Sequence, residues 1–197
     1  VIPQNFELTI ENTRPYVKTE LTRQKIEGML STADVADQTA VEKIMEARQE
    51  GKPLRVSWIH SADGKQHNFS IEEVSRKDAP GKVSLAVNGS GLGISQTQEM
   101  EVEIPALNDF KVMNVKVDQR SSQHVVIQFS DPLNEKQTLD GLVRLHDVGT
   151  LDFEVKDNEI RIYPPVRQTG SKTLTLEAGI RNVLDHRLAT GISMEVV

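Results

Sequence analysis

The chain has 197 residues, a net charge of −6, 37% hydrophobic and 26% charged residues, and no cysteine. That length holds one large domain or two of about 100 residues each, with apolar material enough for ordinary cores. The acidic balance and the lack of any Lys/Arg-rich block argue against nucleic acid and anionic membrane surfaces as partners, and the missing cysteines exclude a disulfide scaffold, a thiol nucleophile and a thiolate metal site.

Alternation of apolar and polar residues dominates the first half. Phe6, Leu8 and Ile10 share one face of a strand. Asp37–Gly51 breaks the pattern: Val41, Ile44, Met45 and Arg48 stand at helical spacing, Asp37 or Thr39 can cap the start, and Gly51 closes the end. A helix of about three turns is predicted near 38–50, with a single apolar stripe. Leu54–Trp58 alternates again. Asp63-Gly64 is a strong hairpin turn signal, and His67–Ile71 returns, which puts Trp58 and Phe69 on the same buried face. Val83, Leu85 and Val87 form a further strand, as do Val102 and Ile104 before Pro105.

A boundary is expected there, giving one domain over 1–105 and a second over 106–197. The second opens on Phe110–Val112 and Val115–Val117, read as one kinked strand. Val125–Phe129, Leu142–Leu145, Leu151–Val155, Ile160–Tyr163, Thr173–Leu176 and Ile192–Val196 follow. About seven short strands over roughly 90 residues match an immunoglobulin-like sandwich. The expected fold class is mostly β: two consecutive β-sandwich domains, the first with one inserted α-helix. No apolar run approaches the roughly 20 residues of a membrane-spanning helix. The chain starts at Val1 and not at Met, so a fragment or a processed chain is expected, with any targeting segment upstream.

The stretch QFSDPLNEKQTLDGLVRL, residues 128–145, decides between a reactive lip and a sandwich corner. Proline cannot donate to a central ladder, so Pro132 ends the strand that carries Val125, Ile127 and Phe129. Asp131 can then hold nearby backbone N–H groups, and a structural corner is the preferred reading.

Candidate chemistry is thin. His60 and His67 flank the Asp63-Gly64 turn and face one another across the hairpin, but zinc needs a third or fourth ligand, and Asp63 is the one near candidate. His124, His146 and His186 have no partners at metal-ligand spacing. Asn88-Gly89-Ser90-Gly91-Leu92-Gly93 has the composition of a phosphate loop without the Lys-Ser/Thr ending or the helix behind it. Glu101 and Glu103 share a strand face opposite Val102 and Ile104, so the acids point to water. Asp34 and Asp37 suit the helix start. Trp58 belongs to a core face, and Tyr16 and Tyr163 lie beside prolines where a hydroxyl can reach the backbone. The expectation is therefore no catalytic residue, no cofactor-binding residue, no metal ligand and no cofactor.

Five stretches together carry a family likeness: STADVADQTAVEKI (31–44), LRVSWIHSADGKQHNFSIEEVSR (54–76), IPALNDFKVMNVKV (104–117), VVIQFSDPLNEKQTLDGLVRL (125–145) and LTLEAGIRNVLDHRL (174–188). The chain resembles the N-terminal macroglobulin-like region of large bacterial alpha-2-macroglobulin proteins, especially those of Bacteroidetes, over nearly its whole length. FSDPL and EAGIRN are distinctive as a pair and are not catalytic motifs. The resemblance implies macroglobulin-like sandwiches in a multidomain envelope protein that traps proteases, many members being lipid-anchored and facing the periplasm or cell surface. It implies neighbouring domains of the same parent chain as partners, and proteases as targets of the full-length protein. The family's thioester joins a Cys to a Gln in a Cys-x-Glu-Gln motif; with no cysteine here none can form, and no bait segment is recognisable. The resemblance thus implies framework without chemistry. Two other readings compete: an adhesin or carbohydrate-binding module, which would want a solvent-facing aromatic cluster, and a hydrolase, which would need carboxylates gathered in a cleft.

Overall fold

The computed structural model describes residues 5–120 and 122–197; Val1, where the first predicted domain begins, lies outside them. The chain divides into two compact units between Leu107 and Asn108.

The first unit contains strands β1 (Phe6–Val17), β2 (Glu20–Thr32), β3 (Met45–Gln49), β4 (Lys52–Leu54), β5 (Val56–His60), β6 (Gln66–Ser75), β7 (Gly81–Asn88) and β8 (Thr97–Ile104), with helix α1 (Gln38–Lys43) between β2 and β3. They form two four-stranded antiparallel sheets, ordered β1-β2-β6-β5 and β4-β3-β7-β8. The alternation in each strand sends one set of side chains inward. Ile26, Leu30, Phe69 and Ile71 come from one sheet, Ala47, Val83, Leu85 and Ile104 from the other, and all belong to one core. Trp58 packs on its edge with its ring centroid 5.5 Å from that of Phe69.

Gly28 sits opposite Phe69 in the β2–β6 register. A Cβ there would lie 2.3 Å from the Phe69 ring and 2.6 Å from the Thr9 carbonyl oxygen, so the ring occupies the space that a side chain would need.

The helix predicted over 38–50 is corrected to Gln38–Lys43. Its start is as expected: Asp37 caps it, accepting from the Ala40 backbone N–H at 2.9 Å, and Val41 is buried. After Ile44 the chain changes period. Met45, Ala47 and Gln49 point inward from β3, while Glu46 and Arg48 face water. The β7 edge claims this segment in an antiparallel ladder, from Met45 opposite Val87 to Arg48 opposite Ser84. Gln49 tolerates burial because its amide is held at both ends by Ser75, donating to the carbonyl at 2.7 Å and accepting from the N–H at 2.8 Å. Glu50 and Gly51, both at positive φ, turn the chain into β4.

The second unit has seven strands: β9 (Val112–Asp118), β10 (His124–Phe129), β11 (Val143–Leu145), β12 (Asp152–Lys156), β13 (Glu159–Tyr163), β14 (Lys172–Leu176) and β15 (Ile192–Val196). A four-stranded sheet ordered β12-β13-β10-β9 faces a three-stranded sheet ordered β11-β14-β15. Ile127, Phe129, Ile160 and Ile162 from one sheet meet Val143, Leu145, Leu174 and Leu176 from the other. Phe110 lies before β9, outside the ladder, yet is buried with its ring 5.6 Å from that of Phe129. Both units are mostly β and built as sandwiches, the fold class expected from the sequence.

Candidate functional site

The β5–β6 hairpin brings the two predicted histidines together. His60 and His67 are direct cross-strand partners, and their Nδ1 atoms lie 2.9 Å apart. Two zinc ligands would each stand about 2.0–2.1 Å from an ion; here the nitrogens face each other at hydrogen-bond distance. His60 Nε2 stands 3.2 Å from Glu42 Oε1 on α1, and Trp58 stacks on the His60 ring at 6.1 Å. His67 is fully buried and its Nε2 has no hydrogen-bond partner among the described residues. A buried N–H without an acceptor is costlier than an unused lone pair. That fixes the donor order: His67 Nδ1–H donates to His60 Nδ1, and His60 Nε2–H donates to Glu42. Burial, and next the adjoining His60, push the His67 imidazole below its ordinary value, against the pull of Asp63 and the Gly64 backbone.

Asp63 does not join the imidazoles. Its carboxylate accepts from the Ser61 hydroxyl and, at 3.0 Å, from the Lys65 N–H, closing the turn. The Ser61 hydroxyl bond comes first among the causes that hold this acid below the ordinary carboxylate range. Among the described residues, no three His, Asp or Glu side chains are grouped to hold a metal ion.

The glycine-rich stretch is a 3₁₀ turn over Gly89–Leu92, capped by Asn88 and ended by Gly93 at φ 73°. Glu101 and Glu103 are exposed on β8, and Glu101 is paired with Lys82. The tyrosine expectation is corrected. The Tyr163 hydroxyl donates to Glu154 at 3.0 Å, on the neighbouring strand, and Tyr16 is exposed with Arg23 stacked 5.5 Å over its ring.

A further polar cluster forms the Asp131-Pro132 corner of the second unit. Asp131 is fully buried, and its Oδ2 accepts from Asn182 Nδ2 at 2.7 Å. Asn182 is the hub of the opposing loop: its Oδ1 accepts from Leu184 N–H at 3.0 Å and His186 N–H at 2.9 Å. The backbone joins the same two segments, with Val183 N–H donating to the Pro132 carbonyl at 2.9 Å and Asn134 N–H to the Arg181 carbonyl at 3.1 Å. Gln137 completes the tie. Its amide nitrogen donates to the carbonyls of Asn134 and Arg181, both at 2.9 Å, and its oxygen accepts from Arg181 N–H at 2.9 Å. FSDPL and EAGIRN, far apart in sequence, are therefore the two halves of one corner. Sequence reasoning singled out both phrases yet missed the roles of Asn182 and Gln137; the pairing of the phrases was the available signal.

Beside this corner lies an open cleft of about 510 Å³ bordered by Lys136, Arg181 and Arg187. No helix among the described residues is long and apolar enough to cross a membrane.

No family model matches the chain, and no curated protein does. Among solved structures, the full ectodomain (Ig1–Ig3) of mouse nectin-like molecule 4 aligns over 98% of this chain and 64% of its own, at 11% identity and a TM-score of 0.34. The chain thus spans less than two thirds of that neighbour's length.

Proposed function

We propose that this chain is a non-catalytic pair of β-sandwich domains that forms part of the framework of a bacterial macroglobulin-like protease inhibitor. In this reading the parent chain does the trapping outside the cytoplasm, in the periplasm or on the cell surface, anchored through a segment other than this one. These two domains hold spacing and contact their neighbours in the same chain. One observation carries the non-catalytic part: five of the reactive-looking groups that the sequence offers are already committed to a structural task. Asp131 is bonded to Asn182, Asp63 to its own turn, Asp37 to a helix start, Glu101 to Lys82, and His60 to His67. No carboxylate among these is left facing another across a cleft, as acid–base hydrolysis requires. The family part is supported by the five quoted stretches, two of which build one corner. Trp58 and Phe69 belong to the packed core and its edge, which leaves an aromatic sugar platform without its largest candidate.

The test is direct. The purified chain, incubated with trypsin-like and elastase-like proteases, should leave their activity on large protein substrates unchanged. Shielding of a protease from such substrates by this chain alone would overturn the framework reading.

A further inference from the structure

We propose that the cleft bordered by Lys136, Arg181 and Arg187 in the second unit binds a carboxylate-bearing segment of a partner polypeptide. Arg181 and Arg187 are partners in an isolated antiparallel bridge. Directly opposed residues in such a pair start with their Cβ atoms about 4.5–5.5 Å apart, and like charges there repel. An anion seated between the two guanidinium groups removes that repulsion. One counter-charge beside them is loose and divided: Asp185 Oδ1 is 3.9 Å from Arg181 Nη1 and accepts from Asn134 Nδ2 at 3.2 Å. Lys136 and Arg187 have no ion pair with any carboxylate of the described residues. Glu177, close by in sequence, is taken by Arg144. Among the described residues the three cations thus have a single, loose ion pair between them, in a chain whose net charge is −6.

The scaffold under these cations is fixed before any ligand arrives. The Gln137 amide locks the backbone of Arg181, and the buried Asn182–Asp131 bond anchors the next residue. A site held in place in advance loses less entropy on binding. The lining also sets the ligand class. Guanidinium forks match a carboxylate in two parallel bonds. Leu142, which lies against Gly179, gives the cleft an apolar wall for the methylenes or an apolar neighbour of a glutamate. A polyanion fits poorly, because three cations make few phosphate or sulfate contacts and the acidic chain repels an extended negative charge. This inference does not rest on the macroglobulin reading, since any partner with an exposed acidic stretch would serve.

The experiment is an NMR titration of the ¹⁵N-labelled whole chain with the peptide acetyl-Glu-Leu-Glu-amide, with acetyl-Gln-Leu-Gln-amide as the neutral control. The expected result is a saturable set of shifts confined to residues 134–142 and 177–188, reduced by added salt and absent with the control peptide. Lys136→Glu and Arg187→Glu change exposed side chains; each should weaken binding at least about fivefold while the rest of the spectrum stays put. Lys156→Glu, on exposed β12, should leave binding unchanged. Equal binding of the control peptide, shifts scattered over other lysines and arginines, or indifference to both cleft variants would overturn the proposal. So would a heparin fragment saturating the cleft when the glutamate peptide does not.

Discussion

Two buried polar side chains, one in each unit, are held in different ways. In the second, Asp131 is bonded to Asn182, and Asn182 spends its own oxygen on two backbone N–H groups. In the first, His67 is equally buried but has one bonded nitrogen and one idle one. A buried polar group that is fully bonded adds rigidity, whereas an idle one is where solvent conditions act. Asp131 and Asn182 close on one another, whereas the idle His67 nitrogen leaves a place for a proton.

The largest expected effect comes from breaking the bonded side. Asn182→Ala removes the amide that faces the buried Asp131 and should cost about 3 kcal/mol. Second-unit amide signals followed through urea unfolding measure it; a cost under about 1 kcal/mol would mean that Asp131 finds other support. Next is a steric test of the first unit. Gly28→Ala drives a methyl into the Phe69 ring and should cost about 2 kcal/mol, followed through Trp58, the single tryptophan. Combining it with Phe69→Leu should cost less than the sum, since the two residues are in contact.

Acid should act on the idle nitrogen. The folded state holds His67 below its ordinary value of 6.5, so below that pH the unfolded chain takes up a proton that the folded chain resists. The His67 contribution to the stability of the first unit is therefore full above about pH 6.5, falls as pH drops through it, and levels off below the folded value. His67→Gln should flatten this part of the profile; an unchanged slope would assign it to another group. The smallest effect belongs to the surface. Glu101→Gln breaks an exposed pair with Lys82 and should shift stability by no more than about 0.5 kcal/mol.

Alternation made most of the strands readable, because one face of each is buried. The hairpin across Asp63-Gly64 was legible down to the facing of His60 and His67, since a two-sided turn fixes register. The helix was half wrong for a definite reason. Val41, Ile44, Met45 and Arg48 satisfy a helical period, while Met45, Ala47 and Gln49 satisfy a strand period, and the neighbouring ladder of β7 decides between them. β2 was not predicted as a strand at all. Its inward set, Leu21, Gln24, Ile26, Gly28, Leu30 and Thr32, includes a glutamine, a glycine and a threonine, which dilutes the alternation. Of the polar clusters, the corner at Asp131 could be named as a corner from Pro132, but its partner lies too far along the chain for local rules to find.

That distance bears on the order in which the chain assembles. Asp131 and Asn182 are separated by 51 positions, so their bond closes a long loop and comes after the nearer pairings, such as β12 with β13. A contact made late leaves the folding rate almost untouched when it is deleted and speeds unfolding instead. The corner should therefore act as a latch on the lifetime of the second sandwich: without the Asn182 amide its strands would gather at much the same rate and stay closed for less time.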